Sequence, residues 1–405
     1  MPVEISEGVA RAHAERLLDG PVKRDRLALA FPTSTAVSVE VLVEGHAFYP
    51  RMLDDIASAT SSVHINQFGF RPGQVGDRFA EALIEKARSG VRVRLVVDTQ
   101  GSGPERGSRD FYDRLTGAGV EVCVVRATKP RAAFGPLGHS GELRWNVGTL
   151  GHIDHRKLAV FDGRVAWVGG AGIEDHFDDG RFHDLFLRAT GPVVEQFQLV
   201  FLTTFRWLGG EIPRDELDAL LPVLDAGADG VPAVVRHNAP GSYRPITDAI
   251  AGILEEATTT LDVVNPYVTD RGMIRRIVEA ARRGVQVRLF VPANANNWAC
   301  AAAQQFHHGT LLDAGVRILE YPTMLHAKAF VRDGVEVLAG TCNLEAWSLK
   351  RFFEIDLQVW SEALATQFDE RFSAPAEAVS RPGQRLVGLR SRGKGLAFAA
   401  LSPFL

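Results

Sequence analysis

The sequence predicts an α/β protein of two similar lobes, with mixed, mainly parallel sheets flanked by helices. Internal duplication is the main observation behind this prediction. The pattern H-x-K-x4-D occurs twice, from His155 to Asp162 and from His326 to Asp333. Upstream of each copy, strand-like runs alternate with helical patterns, which is typical of mainly parallel sheets.

The segment before each motif repeats the end of a helix and the start of a strand. Residues 87–95 resemble residues 281–289, and each copy contains a glycine of the kind that ends a helix. A second glycine pair, Gly119 and Gly315, marks the same transition further along. The duplication therefore extends well beyond the two motifs.

Each motif is followed by a predicted hairpin and by matching positions. The motif aspartates, Asp162 and Asp333, each precede a glycine, and Asp-Gly is a typical two-residue hairpin turn. Beyond the turns, the two halves carry matching residues at equal or nearly equal distances from their histidines. Gly169 corresponds to Gly340, Gly172 to Asn343, and Asp184 to Glu354. Each acid opens an alternating run, so a further strand is expected there.

The repeat and the loop-forming residues predict four segments. Gly209-Gly210 and the glycine-rich stretch near residue 228 break the pattern between the two halves. We therefore expect an N-terminal extension over 1–50, a first lobe over 51–225, a second lobe over 235–375 and a basic, apolar tail over 376–405.

The first half carries an insertion directly before its motif. Gly119 and His155 are 36 residues apart, whereas Gly315 and His326 are 11 apart, which leaves about 25 extra residues within 126–154. Long loops in compact domains are more often functional than accidental, so we expect this one to line the active site. The alternative is a surface insertion without a role.

Composition narrows the class of protein. The chain has 405 residues and a net charge of −4, which argues against a dedicated nucleic-acid binder. No apolar run approaches a membrane span, and the first thirty residues lack a secretory leader. The three cysteines, Cys123, Cys300 and Cys342, have no metal-type spacing and are expected to be reduced. We expect a cytoplasmic protein without a metal or another cofactor.

The duplicated residues are suited to phosphoryl chemistry. A neutral imidazole is a nucleophile and a protonated one is a general acid, so His155 and His326 could supply both roles. In a strand, Lys157 and Lys328 would project beside their histidines and bind phosphoryl oxygens. Asp184 and Glu354 would each hold an imidazole in one tautomer.

Other residues are predicted to contact substrate or to support the fold. Asn343 and Ser348 could donate hydrogen bonds to substrate, and the glycines Gly169, Gly170 and Gly340 would let a phosphate approach the backbone. Asp162 and Asp333 lie in turns and are expected to be structural.

At these residues the chain resembles the phospholipase D superfamily, whose hallmark is a duplicated H-x-K-x4-D motif. The sequence around the motifs is similar to the bacterial cardiolipin synthase branch, notably at Gly169-Gly170, at 340–344 and from Ser348 to Glu354. The resemblance implies phospholipase D-type lobes related by a pseudo-twofold axis, with one active site at their interface. It also implies a covalent phosphohistidine intermediate formed without a metal.

The family resemblance also implies roles and a reaction. By analogy, His155 is the nucleophile and His326 the general acid. The implied function is phosphatidyl transfer to an alcohol such as phosphatidylglycerol. The alternatives are hydrolysis by a phospholipase D and phosphodiester cleavage by a nuclease. A phospholipid is the expected substrate, nucleic acid is not expected, and the sequence indicates no oligomeric state.

One position departs from the family pattern. The family usually has asparagine where this chain has Gly172. Either Asn343 serves the phosphate alone, or a backbone N–H replaces the missing amide; loss of such a donor typically costs about 100-fold in rate. A binding protein that has lost turnover is a third alternative, although the intact histidines, lysines and acids argue against it.

Two segments could contact a membrane. Residues 193–208 are amphipathic and aromatic, but a helix packed on a sheet explains them equally well. The tail combines basic residues with an apolar run, a pattern that favours anionic lipid: Arg381, Arg385, Arg390, Arg392 and Lys394. We therefore expect peripheral contact with the inner face of the membrane, with docking of the tail on its own protein as the alternative.

Overall fold

The computed structural model describes residues 2–5, 10–103, 108–125, 153–386 and 396–400. Most of the predicted insertion, residues 126–152, lies outside the described residues. Whether it lines the active site therefore stays a prediction.

The first half of the described chain contains the following elements: β1 (Val3–Glu4), α1 (Ala10–Leu18), β2 (Leu29–Ala30), β3 (Ser34–Ala36), β4 (Ser38–Val43), α2 (Gly45–Ser58), β5 (Ser62–Gln67), α3 (Gln74–Arg88), β6 (Arg92–Asp98), α4 (Thr99–Ser102), α5 (Arg109–Gly117), β7 (Glu121–Val125), β8 (Lys157–Phe161), β9 (Val165–Gly169), β10 (Phe182–His183), β11 (Leu185–Thr190) and α6 (Val194–Trp207).

The second half contains α7 (Leu217–Leu220), β12 (Val231–Asn238), α8 (Pro245–Glu256), β13 (Thr260–Val264), α9 (Arg271–Arg282), β14 (Gln286–Pro292), α10 (Trp298–Asp313), β15 (Arg317–Tyr321), β16 (Met324–Leu325), β17 (Ala329–Arg332), β18 (Glu336–Gly340), α11 (Ala346–Lys350), β19 (Glu354–Trp360), α12 (Glu362–Phe368), α13 (Ala374–Val379) and β20 (Arg381–Pro382). Residues 396–400 are helical.

Two large mixed sheets confirm the α/β class and the duplication. Among the described residues, one sheet has seven strands in the order β4-β11-β9-β8-β5-β6-β7. The other has nine, in the order β20-β15-β14-β13-β17-β18-β19-β12-β3. The shared part is the order β4-β11-β9-β8-β5-β6-β7, which matches β12-β19-β18-β17-β13-β14-β15 strand for strand.

The prediction that the sheets are mainly parallel was wrong. Within the two large sheets, parallel pairing joins only β5, β6 and β7 and their counterparts β13, β14 and β15. The strands from β8 to β11 and from β17 to β19 pair antiparallel. Strands joined by two-residue turns must run antiparallel, and each motif begins such a series.

The hairpin turns predicted after the motifs are confirmed. β8 pairs with β9 and β17 with β18. Asp162 and Asp333 have φ values of 51° and 52°, and the glycines that follow them have 61° and 66°. Positive φ at both central residues is the requirement of a type I′ turn, which Asp-Gly meets at little cost.

Helix α6 lies in the core between the two sheets. Its Phe197, Phe201 and Phe205 are at most 1% exposed and belong to a hydrophobic cluster that contains residues of both sheets. Residues 193–208 therefore form a helix packed on the sheets, as one of the two predicted alternatives had it. They do not form a membrane-contacting surface.

Several elements cross the predicted segment boundaries. β4 pairs with β11 of the first sheet, and β3 pairs with β12 of the second, so residues 34–43 belong to the sheets and not to an extension. The predicted boundaries at residues 51 and 235 fall inside α2 and β12. β3 lies at a sheet edge without a repeated counterpart, whereas β4 and β12 occupy equivalent places in the two sheets that the repeated motifs and glycines of the sequence do not mark.

The described residues contain no helix that is both long enough and apolar enough to cross a membrane.

Candidate active site

Backbone hydrogen bonds between the lobes hold both motif histidines at the interface. The amide of His155 donates to the carbonyl of Phe353, at 3.0 Å, in the segment before β19. The amide of His326 donates to the carbonyl of His183, at 2.8 Å, next to the short β10 and β16 pair. Each histidine therefore sits where its own lobe meets the other.

The imidazole of His155 is bound by an acid of the second lobe. Its Nδ1 lies 3.0 Å from both carboxylate oxygens of Glu354. Two hydroxyls donate to the same carboxylate: Thr341 Oγ1 at 2.5 Å and Ser348 Oγ at a shorter distance. Glu354 is fully buried, so these contacts replace the water that the carboxylate would otherwise bind.

The imidazole of His326 is bound by an acid of the first lobe. Its Nδ1 lies 2.7 Å from Asp184 Oδ2, and Asp184 Oδ1 accepts the amide of Leu185 at 2.8 Å. The acids are therefore exchanged between the lobes. The equal spacing in the sequence did not reveal this exchange, because spacing within one repeat carries no information about contacts with the other.

Both motif lysines lie beside their histidines. Lys157 Nζ donates to the carbonyl of His155 at 2.6 Å and stands 5.0 Å above the ring of Phe68. Lys328 Nζ lies 3.0 Å from Nε2 of His326. The side chains of both lysines are almost completely buried, so the site concentrates positive charge where little water can screen it.

Burial shifts the pKa values of the whole cluster. Desolvation, followed by the nearby lysine charges, lowers the pKa of His155 and of His326 well below the ordinary value. Desolvation lowers the pKa of Lys157 to about 8 and that of Lys328 to about 7. Both imidazoles are therefore neutral at pH 7, which is the form of a nucleophile.

The acids are shifted in the opposite direction by the same cause. Burial raises the pKa of Glu354 to about 7 and that of Asp184 to about 6, and the lysine charges oppose both shifts. The charge of His155 also contributes to the low pKa of His326, so the two imidazoles lie within electrostatic reach of each other.

Phenylalanine rings surround the two imidazoles. Phe68 and Phe352 lie 4.9 Å and 6.0 Å from His155, measured between ring centroids. Phe177 and Phe182 lie 5.5 Å and 5.8 Å from His326. These rings lower the local dielectric and strengthen every charge interaction in the site. The sequence prediction did not include them, because phenylalanine is common in any core.

Ser348 occupies a different position from the one predicted. The sequence predicted that Ser348 contacts substrate. In the structure its hydroxyl donates to Glu354 and accepts a hydrogen bond from the backbone amide of Asn343 at 2.9 Å. The single hydroxyl proton is therefore already used. The side-chain oxygen of Asn343 is buried and has no hydrogen-bond partner within the described residues.

The three glycines Gly169, Gly170 and Gly340 allow close packing of neighbouring protein groups. A Cβ at Gly169 would meet the carbonyl of Leu185, and one at Gly340 would lie 2.6 Å from Cα of Asp356. A Cβ at Gly170 would lie 2.7 Å from Asp184 Oδ2. The neighbouring strands and Asp184 fill the Cβ side of these glycines, and the close approach of a phosphate to their backbone stays a prediction.

The motif aspartates anchor the hairpin turns. Asp162 accepts the amides of residues 60–62 and two of their hydroxyls, at 2.8 to 3.0 Å. Asp333 accepts the amides of residues 258–260 in the same manner. Both aspartates thus tie a hairpin to the start of the neighbouring strand, β5 or β13, which pairs antiparallel with the first strand of the hairpin.

Further buried polar residues support the first motif and were missed by sequence reasoning. Arg156 forms an ion pair with Asp154, at 2.6 Å, and its guanidinium stacks 5.0 Å from the ring of Phe353. Asp98 accepts the amide of Asp154 at 3.0 Å, and burial raises its pKa to about 7. The signal for Asp98 is its place at the carboxyl end of β6, where α/β proteins position polar site residues.

Comparisons with known proteins agree with this geometry. The sequence model of the family described as "Cardiolipin synthase, PLD-like domain" matches residues 52–176 and 250–375, one match in each lobe. A cardiolipin synthase of Geobacillus kaustophilus is 29% identical over 356 residues, covering 84% of this chain and 68% of that protein. A probable cardiolipin synthase of Bacillus subtilis is 25% identical over 331 residues, covering 80% of this chain and 63% of that protein.

Solved structures share the fold. A phosphatidylserine synthase of Haemophilus influenzae superposes with a TM-score of 0.68 at 13% identity, covering 98% of this chain and 100% of that one. A polyphosphate kinase of Porphyromonas gingivalis superposes with a TM-score of 0.56 at 12% identity, covering 90% of this chain and 53% of that one. The duplicated family match confirms the resemblance found in the sequence, and the chain belongs to the cardiolipin synthase, phospholipase D-like domain family.

Proposed function

We propose that the protein is a phosphatidyltransferase of the cardiolipin synthase type, which moves a phosphatidyl group to an alcohol through a phosphohistidine. The observation that carries this proposal is the exchanged pair of acid–imidazole contacts, His155 with Glu354 and His326 with Asp184. Two imidazoles that are held separately, within one lysine-rich site, supply a nucleophile and an acid for one phosphodiester.

In the first step, His155 attacks phosphorus. Its Nδ1–H donates to Glu354, which leaves the lone pair on Nε2 free to form the N–P bond. As the P–O bond to the departing alcohol breaks, His326 gives a proton to that oxygen. The negative phosphodiester offsets the two lysine charges that lower the pKa of His326, and so favours the protonated acid.

In the second step, an acceptor alcohol attacks the phosphohistidine. His326 takes the proton of the incoming hydroxyl, the new P–O bond forms, and the N–P bond breaks to restore neutral His155. With phosphatidylglycerol as acceptor the product is cardiolipin, and with water it is phosphatidic acid. Lys157, Lys328 and the Asn343 amide would stabilise charge on the non-bridging oxygens in both steps.

The proposal is tested by product analysis. The protein is incubated with phosphatidylglycerol, with phosphatidylcholine plus an alcohol, or with single-stranded DNA, and the products are identified by mass spectrometry. We expect transfer products from the lipids and intact DNA. Phosphatidic acid alone would indicate a hydrolase, and cleaved DNA would contradict the lipid assignment.

Histidine variants test the residue roles. His155→Ala and His326→Ala should each abolish turnover, because either the nucleophile or the proton donor is lost. His152→Ala, which removes a histidine outside the motif, should retain it. Full activity in either motif variant would overturn the assignment.

We also propose that the protein contacts a membrane peripherally. The described parts of the tail indicate a different contact surface from the basic residues that the sequence predicted. Arg381 and Arg385 are paired with Glu320 and Asp313, at 2.8 Å and 3.0 Å, so these acids already offset part of the positive charge of the tail. The other three basic residues of the prediction, Arg390, Arg392 and Lys394, lie outside the described residues.

The end of the tail packs beside the start of α10. Phe398 lies 4.9 Å from Trp298 between ring centroids, and Arg271 donates to the carbonyl of Ala399 at 2.9 Å. Trp298 and Leu396 are nevertheless 63% and 55% exposed. Exposed tryptophan and leucine side chains, at the start of α10 and in the tail that packs there, favour insertion into a lipid interface.

Vesicle flotation tests the membrane proposal. Trp298→Ser combined with Leu396→Ser should reduce binding to anionic vesicles, because apolar area that would enter the interface is lost. Val223→Ser is the control, since Val223 is fully exposed but lies in the segment between the lobes. Equal flotation of both variants and the natural protein would refute this surface.

A further inference from the structure

Glu174 and Glu345 occupy equivalent positions but have different contacts. Each lies nineteen residues after its motif histidine. Each also follows a residue in an equivalent β-bridge, Ile173 to Phe70 and Leu344 to Val268. Glu345 caps α11: its two carboxylate oxygens accept the amides of Trp347 and Ser348, at 2.7 Å and 2.8 Å.

Glu174 makes no such cap and instead fills a space between two glycines. A Cβ at Gly172 would lie 2.5 Å from Glu174 Oε2, and a Cβ at Gly69 would collide with the same oxygen. The equivalent residues in the second half are Asn343 and Tyr267, whose side chains would exclude a carboxylate there. The two glycines therefore allow a carboxylate to occupy the position opposite Asn343.

This carboxylate belongs to the wall of the active site. The Cβ position at Gly172 that meets Glu174 also lies 3.2 Å from the ring of Phe177, and that ring contacts His326. The Glu174 side chain is 16% exposed and forms an ion pair with Arg71 at 3.3 Å. Burial raises its pKa, while Arg71 and Lys157 oppose the shift, so Glu174 lies within electrostatic reach of a motif lysine.

A carboxylate at this place has a chemistry opposite to that of the amide it replaces. An amide N–H can donate to a phosphate oxygen, whereas a carboxylate only accepts hydrogen bonds and repels a phosphate. Its fitting partner is a hydroxyl close to the reacting phosphorus. The acceptor alcohol brings such a group when it carries a second hydroxyl beside the attacking one.

We propose that Glu174 is a specificity-determining residue that selects polyol acceptors, such as the free glycerol end of a lipid headgroup. This inference rests on the proposed phosphatidyl transfer. Glu174 accepts a hydrogen bond from the hydroxyl that does not react, and so orients the neighbouring hydroxyl toward phosphorus. A mono-alcohol lacks that contact and leaves the buried carboxylate without a substrate partner, which disfavours its binding.

An acceptor competition tests the inference. Phosphatidylcholine is offered with equal concentrations of glycerol and 1-propanol, and the two transfer products are quantified by mass spectrometry. Glu174→Gln should lower the ratio of glycerol to propanol product by about 10-fold, since a hydrogen bond to a charged acceptor is weakened. The propanol product should rise, because the carboxylate that disfavours a mono-alcohol is gone.

A matched control removes the same charge nearby. Asp179→Asn should leave the ratio unchanged, because Asp179 faces solvent and pairs with Arg181. Equal losses of both products in Glu174→Gln would overturn the inference in favour of a positioning role, and an unchanged ratio would also overturn it. Selective loss of transfer to ethanolamine, offered in a third arm, would replace the polyol with an amino alcohol and equally refute it.

A binding measurement separates this inference from the proposed function. Calorimetry compares glycerol 1-phosphate with propyl phosphate, neither of which needs to turn over. The natural protein should bind the glycerol compound more tightly, and Glu174→Gln should bind the two alike. Absence of lipid turnover would reject the proposed transfer alone, whereas equal binding of both phosphates by the natural protein would reject selection by Glu174.

Discussion

Nδ1 of His155 lies 3.0 Å from both carboxylate oxygens of Glu354, although the two residues are 199 positions apart in the sequence. His326 and Asp184 form the reciprocal contact across 142 positions. Each lobe therefore supplies the histidine of one pair and the acid of the other. Neither motif histidine binds the acid of its own lobe, so the two acid–imidazole pairs of the site form only when the two lobes are packed together.

Glu354→Gln should lower kcat about 100-fold or more. The amide can no longer stabilise a positive imidazole, and it can donate to Nδ1 and so favour the wrong tautomer. The measurement is kcat on a short-chain phosphatidylcholine, with circular dichroism to check the fold. Activity within threefold of the natural protein would contradict the role of Glu354.

Ser348→Ala should lower kcat by about 10-fold and leave KM nearly unchanged, because the hydroxyl supports Glu354 and not the substrate. Steady-state kinetics over a range of lipid concentrations separate the two constants. A higher KM with an unchanged kcat would instead support the substrate contact that the sequence predicted.

Gly170→Ala should lower activity about 10- to 100-fold by displacing Asp184, since the new Cβ would lie 2.7 Å from Oδ2 of that residue. Gly309→Ala is the matched control, because no other group lies within 4 Å of a Cβ at this helical position. Equal activity of the two variants would show that the site tolerates movement of Asp184.

The pH profile of kcat/KM should be a bell displaced from that of free histidine. Burial lowers the pKa of His155 well below 6.5, so the nucleophile stays neutral, and the rate persists, to a lower pH than for an exposed imidazole. On the alkaline side the rate should fall as His326 loses the proton that it gives to the departing alcohol, and further as Lys328 and Lys157 lose protons near pH 7 and 8. A rate that remains constant up to pH 10 would rule out charged lysines as part of the mechanism.

Asp333→Asn should lower the free energy of unfolding by about 1 to 3 kcal/mol at pH 7, because three amides lose a charged acceptor. These contacts lower the pKa of Asp333, so the native carboxylate contributes stability above the unfolded pKa of about 3.9. That contribution is lost as the pH falls below this value.

Urea unfolding at pH 7 and pH 3 measures the effect of Asp333→Asn, with the surface variant Asp179→Asn as control. The difference between the natural protein and Asp333→Asn should shrink at pH 3, because the aspartate of the unfolded chain is then largely protonated while the native carboxylate is still ionised. A difference of the same size at both values would contradict the electrostatic explanation.

Local patterns in the sequence were enough to determine the family, the two lobes and the hairpin turns. The pair Asp162-Gly163 and its counterpart Asp333-Gly334 form the turns that their residue types favour, because a type I′ turn depends on φ at only two residues. The motif histidines and lysines were likewise located by a repeat that needs no tertiary information. Their catalytic roles remain predictions.

Tertiary structure alone decided which groups meet. It connects His155 to Glu354, directs the Ser348 hydroxyl to that acid, and places Glu174 in the space left by two glycines. A repeat assigns the same pattern to both halves, whereas the contacts that distinguish them are made between lobes or between side chains of different size. Such contacts depend on packing across hundreds of residues, and periodicity or spacing within a segment carries no record of them.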